Sequence, residues 1–311
     1  MSILNSIKLF IHPRVMTMLF LGFSAGVPIL LIFSTLGLWL NEAGVVKSTI
    51  TFFSWAALGY SFKFVWAPLV DRLPLPFLTK ALGRRRSWML VSQLAIMVAI
   101  ILMSSVDPNA SIESLTIMAY GAVLLGFSSA TQDIVIDAYR IESADMNMQS
   151  MLSATYIAGY RIGMLVAGAG GLFIASYLGS TKEIYSYEAW SGTYLIMAAV
   201  MLIGVATTLI IDEPKSERKE TEYSTKDYAR FFLLFLSIVL AFILTFISTT
   251  DLLKPVKELL TDTFANKRLS GFIIGSLRMV LALAGAYIAA RILIILKIVN
   301  QPMVNSTYIE P

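Results

Sequence analysis

Two carboxylates sharing one helical face are the first residues in this chain that could do chemistry. Asp133 and Asp137 are four apart in a mostly apolar stretch, and Arg140 lies three beyond Asp137. Residues at these intervals stack on one side of a helix. Charged groups inside a bilayer are costly and mark pathways or tightly paired clusters. Three roles suit these carboxylates: pairing with Lys63 or a neighbouring Arg, carrying a proton once desolvation favours the neutral form, or contacting a solute. The plainer alternative is a salt-bridge cluster at the helix exit that orders the next loop. Lys63 lies past the midpoint of another apolar stretch, which leaves the membrane at Asp71. It either snorkels to the surface or faces a polar cavity where it could hold an anionic group. Arg161 sits deep in a third apolar, small-residue stretch and needs a carboxylate or water to face. Asp133 is a candidate partner, and a purely structural ion pair is the alternative. Gln132, Tyr60 and Tyr156 are further candidates to line a pathway. Arg278 and Arg291 lie near enough to helix ends to snorkel.

The elements that must position these groups follow from composition. The chain has 311 residues, 57% hydrophobic and only 14% charged, with a mean hydropathy of +0.75. Soluble domains run about 45–50% apolar and about 25% charged, so an ordinary soluble enzyme, a disordered tail and a nucleic-acid binder are excluded. Zero Cys and the single His12 leave no disulfide framework, no thiolate or His-ligated metal site and no intramembrane nucleophile–base pair. The +4 net charge fits Lys and Arg gathered in cytoplasmic loops.

A span needs about 20 mainly apolar residues. Eight stretches qualify: 15–40, 49–70, 87–106, 115–137, 151–178, 194–211, 231–250 and 271–298. The first is too long for the apolar core of a cleaved signal peptide. With the N-terminus inside, thirteen Lys and Arg flank the first six spans on the cytoplasmic side against two outside, which fixes their orientation. The connection between spans seven and eight carries Lys254, Lys257, Lys267 and Arg268 against that rule, and its Leu252, Leu253, Val256, Leu259 and Leu260 spacing predicts a short interfacial amphipathic helix. The expected organisation is a six-helix bundle (1–211), a charged cytoplasmic linker (212–230), two additional spans (231–298) and a polar tail (299–311).

Small residues in the fifth span, Gly159, Gly163, Ala167 and Gly171, recur every four positions and predict close helix contact. Gly22, Gly26, Pro28 and Gly37 predict a bent first span. Trp39, Trp66, Trp88 and Trp190 lie near span ends, as in an interfacial aromatic belt.

Asp71-Arg72 followed by Gly83-Arg84-Arg85-Arg86 resembles the signature of the major facilitator superfamily between its second and third helices, with Ala67 where that signature has glycine and a longer spacing. With Lys63-Phe64-Val65-Trp66-Ala67-Pro68-Leu69-Val70, Ser87-Trp88 and the run from Ala130 to Arg140, the chain resembles, over residues 10 to 215, the AmpG-type muropeptide permeases, a branch shared with acetyl-CoA transporters. The resemblance implies an all-α integral membrane fold: a six-helix N-terminal bundle, with the two additional helices resembling the inter-domain pair of some members. The family's C-terminal bundle is absent from these 311 residues, so the expectation is a fragment, a partnership with a separately encoded half or a second copy, or a chain that no longer transports. By resemblance the solute is an anhydro-muropeptide or another polar anionic solute such as acetyl-CoA, carried across the bacterial inner membrane by alternating access. The proton gradient is the implied energy source, with no cofactor. Lys63, Asp133, Asp137 and Arg161 become cavity groups, and Asp71, Arg72, Arg84, Arg85 and Arg140 the cytoplasmic gate.

Overall fold

The computed structural model describes residues 12–182, 184–214, 225–264 and 266–299. Among them secondary structure is helical throughout. The chain divides into two units, Met1–Lys219 and Glu220–Pro311. Residues 215–224 of the expected linker, and the expected tail apart from Val299, lie outside the described residues.

In the first unit, the first span runs through α1 (Pro13–Leu30), a π-helical turn (Leu31–Thr35) and α2 (Leu36–Glu42). His12 Nδ1 accepts from the Arg14 amide at its start, and Pro13 occupies the first turn, where its missing N–H costs nothing. The second span differs from the continuous helix expected. It is broken into α3 (Lys47–Phe52), a 3₁₀ turn (Phe53–Ala56), α4 (Ala57–Ser61) and α5 (Lys63–Arg72), so seven rather than eight helices are individually long and apolar enough to cross a membrane among the described residues. A short helix, α6 (Leu78–Leu82), leads to the third span, α7 (Arg84–Ser104). The fourth, α8 (Ile112–Ser143), begins at Ser111, whose hydroxyl caps the Ser114 amide at 3.1 Å. Its 32 residues give a length of about 48 Å, more than a hydrocarbon core of about 30 Å. The fifth comprises α9 (Met146–Leu165), a second π-helical turn (Val166–Gly170) and α10 (Gly171–Tyr177), and the sixth α11 (Tyr187–Val200) and α12 (Leu202–Ile210).

Glycine explains how the first and fifth spans meet. A Cβ on Gly22 or Gly26 would run into the Tyr156 or Tyr160 carbonyl, and one on Gly159 or Gly163 into that of Leu19 or Phe23. Backbone thus lies on backbone along this seam, the close approach small residues permit.

The aromatic belt needs correction. Trp39 and Trp190 are fully buried and stack with centroids 5.8 Å apart. Glu42 Oε2 accepts from Trp190 Nε1 at 2.8 Å and from Ser180 Oγ at 2.9 Å. Trp39 Nε1 donates to the Tyr185 hydroxyl, which donates to Asp107 Oδ1 at 2.7 Å. Burial pushes the Tyr185 phenol above its ordinary range, so it stays a protonated donor. A tryptophan near a span end satisfies the belt pattern equally well from inside a bundle, because only a partner for its N–H is required.

The second unit contains α13 (Thr225–Leu252), α14 (Lys254–Phe264) and α15 (Lys267–Ile295). The expected amphipathic helix forms as α14, with Val256, Leu259 and Phe264 exposed. Asn266 Oδ1 caps the Arg268 and Leu269 amides that open α15. Arg278 does not simply snorkel along its own helix. It reaches across to α13, donating to the Phe246 carbonyl at 2.8 Å and to Thr250 Oγ1, with its guanidinium 4.1 Å from the Phe246 ring centroid. Arg278→Leu should loosen this hairpin by about 1 kcal/mol, the scale of interhelical hydrogen bonds in membranes. Faster amide exchange over residues 242–250 would report it, and unchanged exchange would assign the contact no weight.

Candidate functional site

Close backbone approach sets the site. A Cβ on Gly59 would meet the Gly126 carbonyl carbon, and one on Gly126 the Ala56 carbonyl, so the second span lies directly against the fourth. One residue past Gly59, the Tyr60 hydroxyl donates to Ser129 Oγ at 2.8 Å. Farther along, Trp66 Nε1 donates to Thr131 Oγ1 at 3.2 Å, and its ring tilts against Phe127 at 5.0 Å. On the other side, the glycine seam of the first and fifth spans brings Tyr156 up, and its hydroxyl donates to Asp133 Oδ1 at 3.4 Å. Tyr160 lies 6.0 Å from Tyr156, ring centre to ring centre.

Asp133 is therefore a carboxylate 9% exposed between aromatic hydroxyls. Lys63 supplies the positive charge and Asp137 the negative charge that act on it. Lys63 is the first residue of α5, directly after the break at Phe62 that sequence periodicity does not disclose, and lies between Tyr60 and Trp66, which both bond to the fourth span. Among the described residues no cation lies within ion-pair distance of Asp133. The cluster joins a desolvated acid, an amine and phenolic donors, which suits proton exchange and recognition of an anionic or hydroxyl-rich solute.

The remaining candidates are placed differently. Asp137, 49% exposed at its side chain, pairs with Arg140 at 3.6 Å, and Arg140 also donates to Ser153 Oγ at 2.8 Å and Gln149 Oε1 at 3.3 Å. Gln132 is fully buried and donates to Ser24 Oγ at 3.1 Å, turned toward the first span. The pairing of Arg161 with Asp133 is not present: Arg161 is exposed, and its guanidinium contacts Met164 Sδ at 3.8 Å. Two residues past Gly159, it is rotated about 200° around the helix, away from the seam with the first span.

A second cluster closes one end of the unit. Arg85, 3% exposed at its side chain, grips Glu142 with Nε and Nη2 at 2.9 and 2.6 Å while Nη1 holds Asp71 at 2.5 Å. Arg84 lies 3.9 Å from Glu142, and Arg72 follows Asp71 at the end of α5. Of the expected gate residues, Arg85 joins the second, third and fourth spans. Gly83, at φ +87°, starts α7, whose Arg85 and Arg86 amides donate to Glu213 at 2.7 and 3.0 Å; a carboxylate is favoured at a helix N-terminus. Sequence reasoning misses Glu142 and Glu213. The signal available for each is weak: an acid two residues past Arg140, and an acid just after the sixth span. A cavity of about 1020 Å³ opens at this end, lined in part by Arg14, Asp71, Arg85, Tyr139, Glu142 and Glu213. Among the described residues no group of three or more His, Asp or Glu is arranged to hold a metal ion.

Comparison with known proteins gives the family. The Major Facilitator Superfamily model matches residues 15–304. The chain is 36% identical over 218 residues to a putative transporter AmpG 4 of Rickettsia felis, covering 70% of this chain and 50% of that protein. It is 37% identical over 208 residues to an anhydromuropeptide permease of Escherichia coli K12, covering 67% of this chain and 39% of that protein. The chain thus spans about half the length or less of these curated relatives. A match over most of the chain places it: this chain belongs to the major facilitator superfamily.

Proposed function

We propose that this chain is the N-terminal part of a secondary transporter that imports anhydro-muropeptides across the bacterial inner membrane. The name of the Escherichia coli relative supports the solute class. The observation that carries the reading is Asp133, nearly buried, bonded to Tyr156 and without a cation in ion-pair contact among the described residues. In this reading Asp133 takes and releases the coupling proton, and Lys63 meets the negative charge of the peptide portion. Tyr60 and Tyr156 orient the solute by hydrogen bonds. The Arg85 clamp closes the cytoplasmic end, with the N-terminus on the same side and residues 212–230 as a cytoplasmic linker. A second bundle supplies the opposing wall, since alternating access moves one bundle against another. No cofactor is invoked.

The test is uptake of labelled anhydro-muropeptide by cells lacking their own permease. They would express this chain alone, or with a second bundle taken from the Escherichia coli relative. Asp133→Asn should lower uptake at least about a hundredfold, the low end for loss of a group acting directly in proton transfer, and an uncoupler should abolish it. Uptake unaffected by both would remove the proton from the reading. Inhibition by excess acetyl-CoA with none by muropeptide would move the solute to the sister branch. Absence of uptake in both arms would favour a membrane protein that does not transport.

A further inference from the structure

We propose that the end of the first unit remote from Arg85 is a hinged cap, turning about one level at which the first and fifth spans each make a π-helical turn. The first span has its π-helical turn at Leu31–Thr35 and the fifth at Val166–Gly170. The sixth passes this level within α11 and changes helix only at Met201, seven residues past Tyr194 and about 10 Å nearer Arg85. The two π-turns lie at one height and the sixth span reaches the same level, because they are bonded to one another. Thr35 Oγ1 donates to the Ala167 carbonyl at 3.0 Å, and the Tyr194 hydroxyl donates to the Leu31 carbonyl at 2.9 Å. A Cβ on Gly168 would meet the Leu30 side chain at 2.6 Å.

What lies on either side is rigid. Toward Arg85, the Gly22, Gly26, Gly159 and Gly163 contacts set backbone on backbone and forbid shear, and Gly204 seats the sixth span directly on Ser24. Away from Arg85, Trp39 stacks on Trp190, and Glu42 ties the end of the first span to Ser180 beyond the fifth and to Trp190 in the sixth. Two braced blocks are therefore joined through two π-turns at one level. A π-turn leaves a carbonyl without its usual helical donor and is a recurrent site of bending. Here both π-turns are held by side-chain hydroxyls that can let go, which gives the turns two discrete arrangements rather than continuous softness. Whole-bundle rocking does not require this joint. It would allow the cap to move while the Asp133 cluster stays fixed.

The test uses the full chain in lipid nanodiscs and amide hydrogen exchange. Tyr194→Phe and Thr35→Val each remove one hydroxyl donor. Each should raise exchange about fivefold, the factor for one neutral hydrogen bond, in residues 31–42 and 166–177 together, leaving residues 15–26 and 150–163 unchanged. A rise confined to the span that lost its donor, a rise spread equally through all four segments, or no rise at all would overturn the hinge. Because the chain has no cysteine, spin labels on introduced thiols give a second readout independent of those variants. Labels at Phe20→Cys and Tyr177→Cys, one on each block, should show two distance populations, and labels at Gly37→Cys and Tyr177→Cys, both on the cap, one. A single narrow population in both pairs would overturn the proposal.

Discussion

Gly26→Ala and Gly159→Ala should each cost about 3 kcal/mol or more of stability. A Cβ at either position lands on a main-chain carbonyl, of Tyr160 and Leu19 respectively. A carbonyl within a helix cannot move aside as a side-chain tip can, so the spans must separate. Overpacking usually costs about 1–3 kcal/mol, and a collision with backbone belongs at or above the upper end. Separation would also withdraw Tyr156 from Asp133, so the site should be lost along with the seam. Thermal unfolding of the purified chain in mild detergent measures the effect. Gly37→Ala is the control: nothing lies within 4 Å of its Cβ position, and alanine is favoured over glycine in a helix by about 1 kcal/mol. A midpoint unchanged in the first two variants, or lowered equally in all three, would contradict the seam.

Arg85→Ala should be nearly as damaging, for an electrostatic reason. It leaves Asp71 and Glu142 facing one another with no shared cation, and truncating one partner of a buried ion network costs about 3–5 kcal/mol. Because the side chains of Asp71 and Glu142 keep 34% and 16% exposure, the lower figure is the expectation. Arg85→Lys should recover less than half of the loss. A single ammonium cannot grip both oxygens of Glu142 and reach Asp71 as a guanidinium does. Unfolding midpoints of the two variants and of Glu142→Gln decide this, and full stability in the lysine variant would show that charge alone suffices.

The residues costly to place in lipid are the ones most readable from sequence. Asp133 and Lys63 stand out as charges inside apolar stretches, the Arg-rich turn by its Gly-Arg-Arg-Arg run, and the glycines of the fifth span by their interval. Partners in polar segments are not readable. Glu142 and Glu213 sit among other charges, and only folding shows which acid reaches Arg85. Hydropathy cannot reveal the break at Phe62, since an apolar run looks the same whether its helix is continuous or interrupted. For the same reason Trp39 and Trp190 pass for interfacial residues, and Arg278 for a snorkelling one. Each has an apolar body and a polar tip, and one-dimensional position does not say whether water or another helix meets that tip.

The carboxylate that caps the start of the third span comes from position 213, after the sixth span has ended. During synthesis the Arg85 and Arg86 amides must wait for well over a hundred further residues to leave the ribosome before their acceptor exists. Until then water or lipid phosphate must serve in its place. The bundle is therefore fastened last at a joint that was made early, and a nascent chain arrested anywhere before Glu213 should be the form most readily recognised by membrane quality-control proteases.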